Sequence, residues 1–206
     1  MTKNIFPFDS QISYEQRKEA MMQEPRLIWL TGLSGSGKST LALRLEHYFF
    51  FKRYKVFILD GDNVRNGLCK DLGFSEEDRR ENLRRVGEVS KLMLDAGLTV
   101  ICAFISPCTE DRRAIKDIVG EGRFIEVYVR CSVEVCEKRD IKGLYAKARQ
   151  GIIPNFTGVS APYDPPVLPD VEVHTAEETI EESMYKIIKL VEPAITLQTL
   201  QAYYCI

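Results

Sequence analysis

Short apolar runs along the chain alternate with longer stretches in which apolar residues recur every three to four positions, a pattern that predicts strands and helices in turn. A polar helix over residues 14–24 leads into an apolar run, Leu27–Thr31, that predicts the first strand. Residues 39–51 carry Leu41, Leu45, Tyr48 and Phe49 at helical spacing, and KVFILD, ending at Asp60, then predicts a buried strand. LTVICAFI, 98–105, predicts a third strand, entered from a helix over 81–96 with Gly97 as its cap. RFIEVYVRC, 123–131, predicts a fourth strand with a helical VEVCEKR stretch behind it, and DVEVHTA, 170–176, a last short strand before a helix from Glu177 to about Pro193. Parallel neighbours need crossover connections, so strands separated by helices imply an α/β fold: a parallel sheet with helices on both faces.

Composition narrows this picture. With 206 residues, 45% of them hydrophobic, the chain suits one domain over 1–206, with a polar extension over 1–24 and a tail over 196–206 to which the pattern gives no role. Lys and Arg number 28 against 30 for Asp and Glu, a net charge of -2, so no global basic field draws in nucleic acid and any anion site must be local. The six cysteines (Cys69, Cys102, Cys108, Cys131, Cys136, Cys205) form no CxxC pair, and two histidines are too few to complete a zinc site around them. Reduced thiols are the reading that fits. No apolar segment reaches the length of a signal peptide core or a bilayer span, so the protein is expected to be soluble, cytoplasmic and without a membrane partner.

The most specific chemistry lies in GLSGSGKST, Gly32, Leu33, Ser34, Gly35, Ser36, Gly37, Lys38, Ser39 and Thr40, which contains the GxxxxGK[ST] phosphate loop between a predicted strand and a predicted helix. Its glycines let backbone N–H groups turn toward phosphate, and the following helix adds its positive end. Lys38 is placed to bridge the β- and γ-phosphates of ATP and the Ser39 hydroxyl to ligate Mg2+. Such a loop identifies a phosphate donor and leaves the acceptor open.

Acceptor candidates lie at the ends of later strands, where ligands bind in such sheets. DGDNVR brings Asp60, Asp62 and Arg65 there: carboxylates that hold a metal's water shell or take a hydroxyl proton, and an arginine for an anionic group; a turn that merely caps a helix accounts for them as well. In LGFSEEDRRENLRR, Ser75 can cap a helix and Arg79, Asn82 and Arg85 recur every three residues; a solvated helix face and a core Phe74 explain the same run. FISP carries Ile105 and Ser106, a turn or a substrate contact. Residues 138–158 hold Arg139, Lys142, Lys147 and Arg149, short on core-forming periodicity, and suit either a basic lid over phosphates or a solvated surface helix.

Taken together, GLSGSGKST, DGDNVR, LGFSEEDRRENLRR, FISP, RDIKGLYAKAR and FTGVSAPYDPP resemble the adenylylsulfate kinase family over about Pro25 to Glu192. The resemblance implies a P-loop NTPase fold of the nucleotide-kinase kind and transfer of the γ-phosphate of ATP, with Mg2+, to the 3′-hydroxyl of adenosine 5′-phosphosulfate. Carried over by position, Asp62 acts on the hydroxyl, Asp60 sits beside the metal with Ser39, and Arg65, Arg79 and Asn82 hold phosphosulfate and ribose. Phe74 and Phe156 sandwich the adenine, Ile105 meets substrate through its backbone, Lys142 reaches substrate or phosphates, and Arg139 belongs to the ATP side. Ser106 matches the serine linked to a phosphoserine intermediate, although direct transfer within one cleft needs no such nucleophile. Asn66 stands where the family often has histidine, and Cys108 where an aromatic residue is usual, so both touch substrate fit. The resemblance further implies a homodimer, and a chain of 206 residues, too short to hold a sulfurylase region as well, is expected to act alone or beside a separate ATP sulfurylase. A kinase for another small alcohol or nucleotide is the competing enzyme reading, and two turn-borne phenylalanines weigh against a sugar acceptor; a GTPase-like switch lacks its NKxD motif here.

Overall fold

The computed structural model describes Phe6 and residues 10–197, leaving most of the tail and the first residues of the extension outside the described residues. Five strands, β1 (Leu27–Thr31), β2 (Val56–Asp60), β3 (Thr99–Ala103), β4 (Phe124–Arg130) and β5 (Val171–His174), form one sheet in the order β2-β3-β1-β4-β5. Every neighbouring pair is parallel, as the alternation of strands and helices predicts.

The helices are α1 (Tyr14–Met21), α2 (Lys38–Phe51), α3 (Gly61–Asn66), α4 (Glu76–Asp95), α5 (Thr109–Val119), α6 (Val133–Arg139), α7 (Leu144–Arg149) and α8 (Ile180–Ile195). Strand pleating sends successive side chains to opposite faces. Ile28 and Leu30 of β1 therefore join a core with Leu41, Leu45 and Phe49 of α2 and Ile187 and Val191 of α8. Leu27 and Trp29 join a second with Leu83 and Val86 of α4 and Ile115 and Val119 of α5.

Three departures from the sequence pattern have physical causes. β2 is an edge strand, half-exposed with Phe57 open to solvent, where a buried strand was predicted; an apolar run does not reveal whether both sides find neighbours. α4 begins five residues before the predicted 81, capped by Ser75, whose hydroxyl accepts from the Asp78 N–H at 3.1 Å. α5 was not predicted at all, because its buried positions, Arg112, Ile115 and Val119, include a cation. In addition α8 continues past Pro193 to Ile195, which packs with Val191 in the core.

Residues 138–158 are better packed than their composition implies. Tyr145 and Ala148 of α7, with Phe156, form a third buried cluster with Leu33, Cys131 and Cys136, and the Tyr145 hydroxyl donates to the Ser34 carbonyl at 2.9 Å. This segment is thus fastened to the phosphate loop by its apolar face. Among the described residues every cysteine is free, and burial pushes the thiols of Cys102 and Cys136 up to about 12, so both stay protonated. No helix among the described residues is long and apolar enough to cross a membrane.

Candidate active site

The phosphate loop leaves β1 at Gly32 in a left-handed conformation, φ +152°, where an added Cβ would lie 2.4 Å from the Val129 carbonyl oxygen of β4. Only glycine fits so close to a neighbouring strand. The loop turns into α2 with Gly37 as N-cap, so the first N–H groups of a fourteen-residue helix are free for an anion. Lys38, buried under the loop, donates to the Leu33 carbonyl at 2.6 Å. Burial pulls its ammonium down to about 8, with Asp60 and Asp62 acting in the opposite sense and Lys142 adding to the fall. Its one hydrogen-bond partner among the described residues is a neutral carbonyl.

Two further groups grip the loop. Arg139, at the end of α6, donates to the Gly35 carbonyl at 3.2 Å and to the Thr175 carbonyl at 2.5 Å, while Thr175 donates through Oγ1 to the Ser36 carbonyl at 2.7 Å. Thr175 was not among the sequence candidates. A lone threonine after a short strand carries no pattern to find it by.

The carboxylates expected after β2 stand beside this loop. Asp60 N-caps α3, accepting from the Asp62 N–H at 3.0 Å, and its second oxygen accepts from the Ser39 hydroxyl at 2.8 Å. One side chain therefore both caps α3 and reaches Ser39 of the phosphate loop. Asp62 pairs with Lys142 of the lid segment. Arg149 pairs with Glu137 and Lys147 is exposed, so of the four candidate cations named for residues 138–158, Arg139 and Lys142 are the two that reach this site.

Next to these lies a cluster around Arg79. Its guanidinium donates to the Phe74 carbonyl at 3.0 Å, the Asn155 carbonyl at 2.7 Å and the Thr157 hydroxyl at 3.3 Å, gathering the loop before α4 and the end of the lid segment. The Arg65 guanidinium covers one face of the Phe74 ring at 4.4 Å and donates to the Gly73 carbonyl at 2.7 Å. One turn beyond Arg79, Asn82 is buried, and its Oδ1 has no hydrogen-bond partner among the described residues. A buried acceptor without a donor is costly, and a ligand donor would relieve it.

A match to the adenylylsulphate kinase family covers residues 24–174, about three-quarters of the chain. The chain belongs to that family. It is 54% identical over 181 residues to the adenylyl-sulfate kinase of Staphylococcus epidermidis, covering 88% of this chain and 91% of the relative. To that of Acaryochloris marina it is 48% identical over 191 residues, 93% of each. Among solved structures, the Mycobacterium tuberculosis APS kinase in complex with AMPPNP and APS superposes with a TM-score of 0.79 at 43% identity, covering 82% of this chain and 98% of that one. These relatives make the chain an ATP-using kinase with the P-loop NTPase fold.

Two residues carried over from the family pattern are packed inward. Phe156 does not offer an exposed ring: it is 8% exposed and packs edge-on against Tyr145 with ring centroids 5.0 Å apart, while Phe74 is 68% exposed. Likewise the Ser106 hydroxyl does not open to a cleft. It is buried, accepts from the Trp29 indole N–H at 3.0 Å and donates to the Thr31 hydroxyl at 2.9 Å. Ile105 is engaged through its carbonyl, which accepts from Thr31 at 2.8 Å. Ser106→Ala is therefore expected to keep turnover within about tenfold of wild type while lowering the melting temperature, because Trp29 loses an acceptor. A stable variant below about a thousandth of wild-type kcat would restore the covalent route.

Proposed function

We propose that this chain transfers the γ-phosphate of ATP to the 3′-hydroxyl of adenosine 5′-phosphosulfate. The observation that carries the reading is the Arg79 cluster, in which an exposed aromatic face, two arginines and an unsatisfied amide oxygen converge near the Asp62–Lys142 pair. A small alcohol with neither a base nor an anionic group leaves the arginines without a partner; a purine carrying an anionic phosphosulfate engages all of these.

In this reading Lys38 leaves the Leu33 carbonyl and follows the transferring phosphoryl group, while the loop N–H groups hold the β-phosphate. Asp62 orients the acceptor hydroxyl and takes its proton, and Lys142 balances charge between Asp62 and the phosphates. Arg65, Arg79 and Asn82 hold the phosphosulfate and ribose. Ser39 and Asp60 present two hard oxygens 2.8 Å apart beside the loop, a donor set that fits Mg2+. When bound with ATP, the ion supplies neutralisation of β- and γ-phosphate charge. A single kinase domain and a cytoplasmic location, supported by length and by the lack of a long apolar segment, and a homodimer, supported by the family resemblance, complete the reading, with the chain acting alone or beside a separate ATP sulfurylase.

The test separates the two phenylalanines. Phe74→Ala is expected to weaken adenylyl sulfate binding by about 1–3 kcal/mol with ATP affinity nearly unchanged and no loss of melting temperature. Phe156→Ala is expected to cost stability, about 3 kcal/mol on removal of a buried ring, with effects on both nucleotides through the loosened lid. Equal loss of both ligands on Phe74→Ala would remove the adenine from that face. Turnover of gluconate or another sugar in preference to adenylyl sulfate would replace the acceptor.

A further inference from the structure

Arg112 is a cation on the apolar face of α5, 4% exposed. It donates from one terminal nitrogen to the Ser106 carbonyl at 2.8 Å and from the other to the Asp164 carbonyl at 2.8 Å and the Thr109 hydroxyl at 3.2 Å. Its Nε lies 2.8 Å from a carboxylate oxygen of Glu126 on β4, an ionic contact that keeps the buried charge paired. The same two segments also touch directly, the Asp164 N–H donating to the Pro107 carbonyl at 2.9 Å.

The turn held in this way is strained. Ser106 has φ +38°, a left-handed conformation rare for a residue with a side chain, and such a turn persists only where its surroundings over-determine it. Trp29 and Thr31 fix its hydroxyl, Arg112 fixes its carbonyl, and Tyr163, one residue before Asp164, meets Thr31 with its hydroxyl at 3.0 Å. Stability alone does not explain a buried ion pair at this place, because well-packed apolar residues of like volume serve a core at least as well. What the guanidinium fork adds is geometry: two carbonyls from two different segments, one leaving β3 and one following the lid, are held in fixed relation by one planar group.

Resting on the acceptor reading above, we infer that Arg112 is a positioning residue for the acceptor substrate, fixing the turn at Ser106 against the segment behind the lid. The stretch from Ile105 to Pro107 then meets adenylyl sulfate in one shape, and the lid closes onto a rigid base. Among the described residues no hydrogen bond links Arg112, Glu126 or Asp164 to the phosphate loop over 32–40, so the ATP side is expected to be left alone.

Arg112→Lys keeps a cation opposite Glu126 and loses the two-carbonyl fork. Measured in the full chain, it is expected to raise the KM for adenylyl sulfate about tenfold and to lower kcat, with the KM for ATP within about twofold of wild type. Should that variant fail to fold, Arg112→Met combined with Glu126→Met removes both charges together, leaves no buried ion unpaired, and is expected to give the same split. An unchanged KM for adenylyl sulfate, or an equal rise in both KM values, overturns the inference alone. A wild-type protein that does not phosphorylate adenylyl sulfate overturns the acceptor reading, and this inference with it.

Discussion

Lys38→Ala is expected to reduce phosphate transfer by at least about a thousandfold, because the γ-phosphate loses the one loop cation that moves with it into the transition state. The melting temperature of the ligand-free protein is expected to hold or rise, since the substitution relieves an ammonium that is buried with a carbonyl and no close carboxylate as its hydrogen-bond partner. That combination, lost turnover with retained stability, separates a chemical role from a structural one. Differential scanning fluorimetry beside a steady-state assay reads both, and wild-type turnover in a folded variant would remove the phosphate loop from the donor site.

Asp62→Asn is expected to lower kcat by about a hundred- to ten-thousandfold while changing either KM far less, because the amide keeps the shape of the carboxylate and cannot accept a proton. The pair that Asp62 forms with Lys142 is more than half exposed on both sides, so its loss is not expected to destabilise the fold measurably. Lys142→Ala, by contrast, leaves Asp62 in place and is expected to raise the KM for substrate more than it lowers kcat. Identical kinetic profiles for the two variants would mean that Asp62 acts only as an anchor for Lys142.

The donor side was legible in the sequence because its chemistry is local. The phosphate loop needs glycine, lysine and serine at fixed spacing, and β1 and α2 flank it as periodicity and loop position predict. Asp60 and Asp62 were legible for the same reason, the one ending β2 and the other two residues on, in the first turn of α3. Other features depend on contacts between distant segments. Thr175 grips the loop from 139 residues away, and Arg112 joins elements up to 52 residues apart, so no window of sequence contains either relationship. Ser106 and Phe156 match a family pattern by position, but their packing partners, Trp29 for one and Tyr145 for the other, lie far away in the chain and are not read from position.

The measurement that bears most directly on the account is a single-product analysis with ATP, magnesium and adenylyl sulfate, in which phosphorus NMR locates the transferred group. The account predicts one new phosphomonoester on the ribose 3′-hydroxyl, formed in step with ADP, in wild type and in Ser106→Ala, and absent in Lys38→Ala. Release of ADP with inorganic phosphate alone, or phosphate carried on another hydroxyl or another acceptor in preference to adenylyl sulfate, would contradict it.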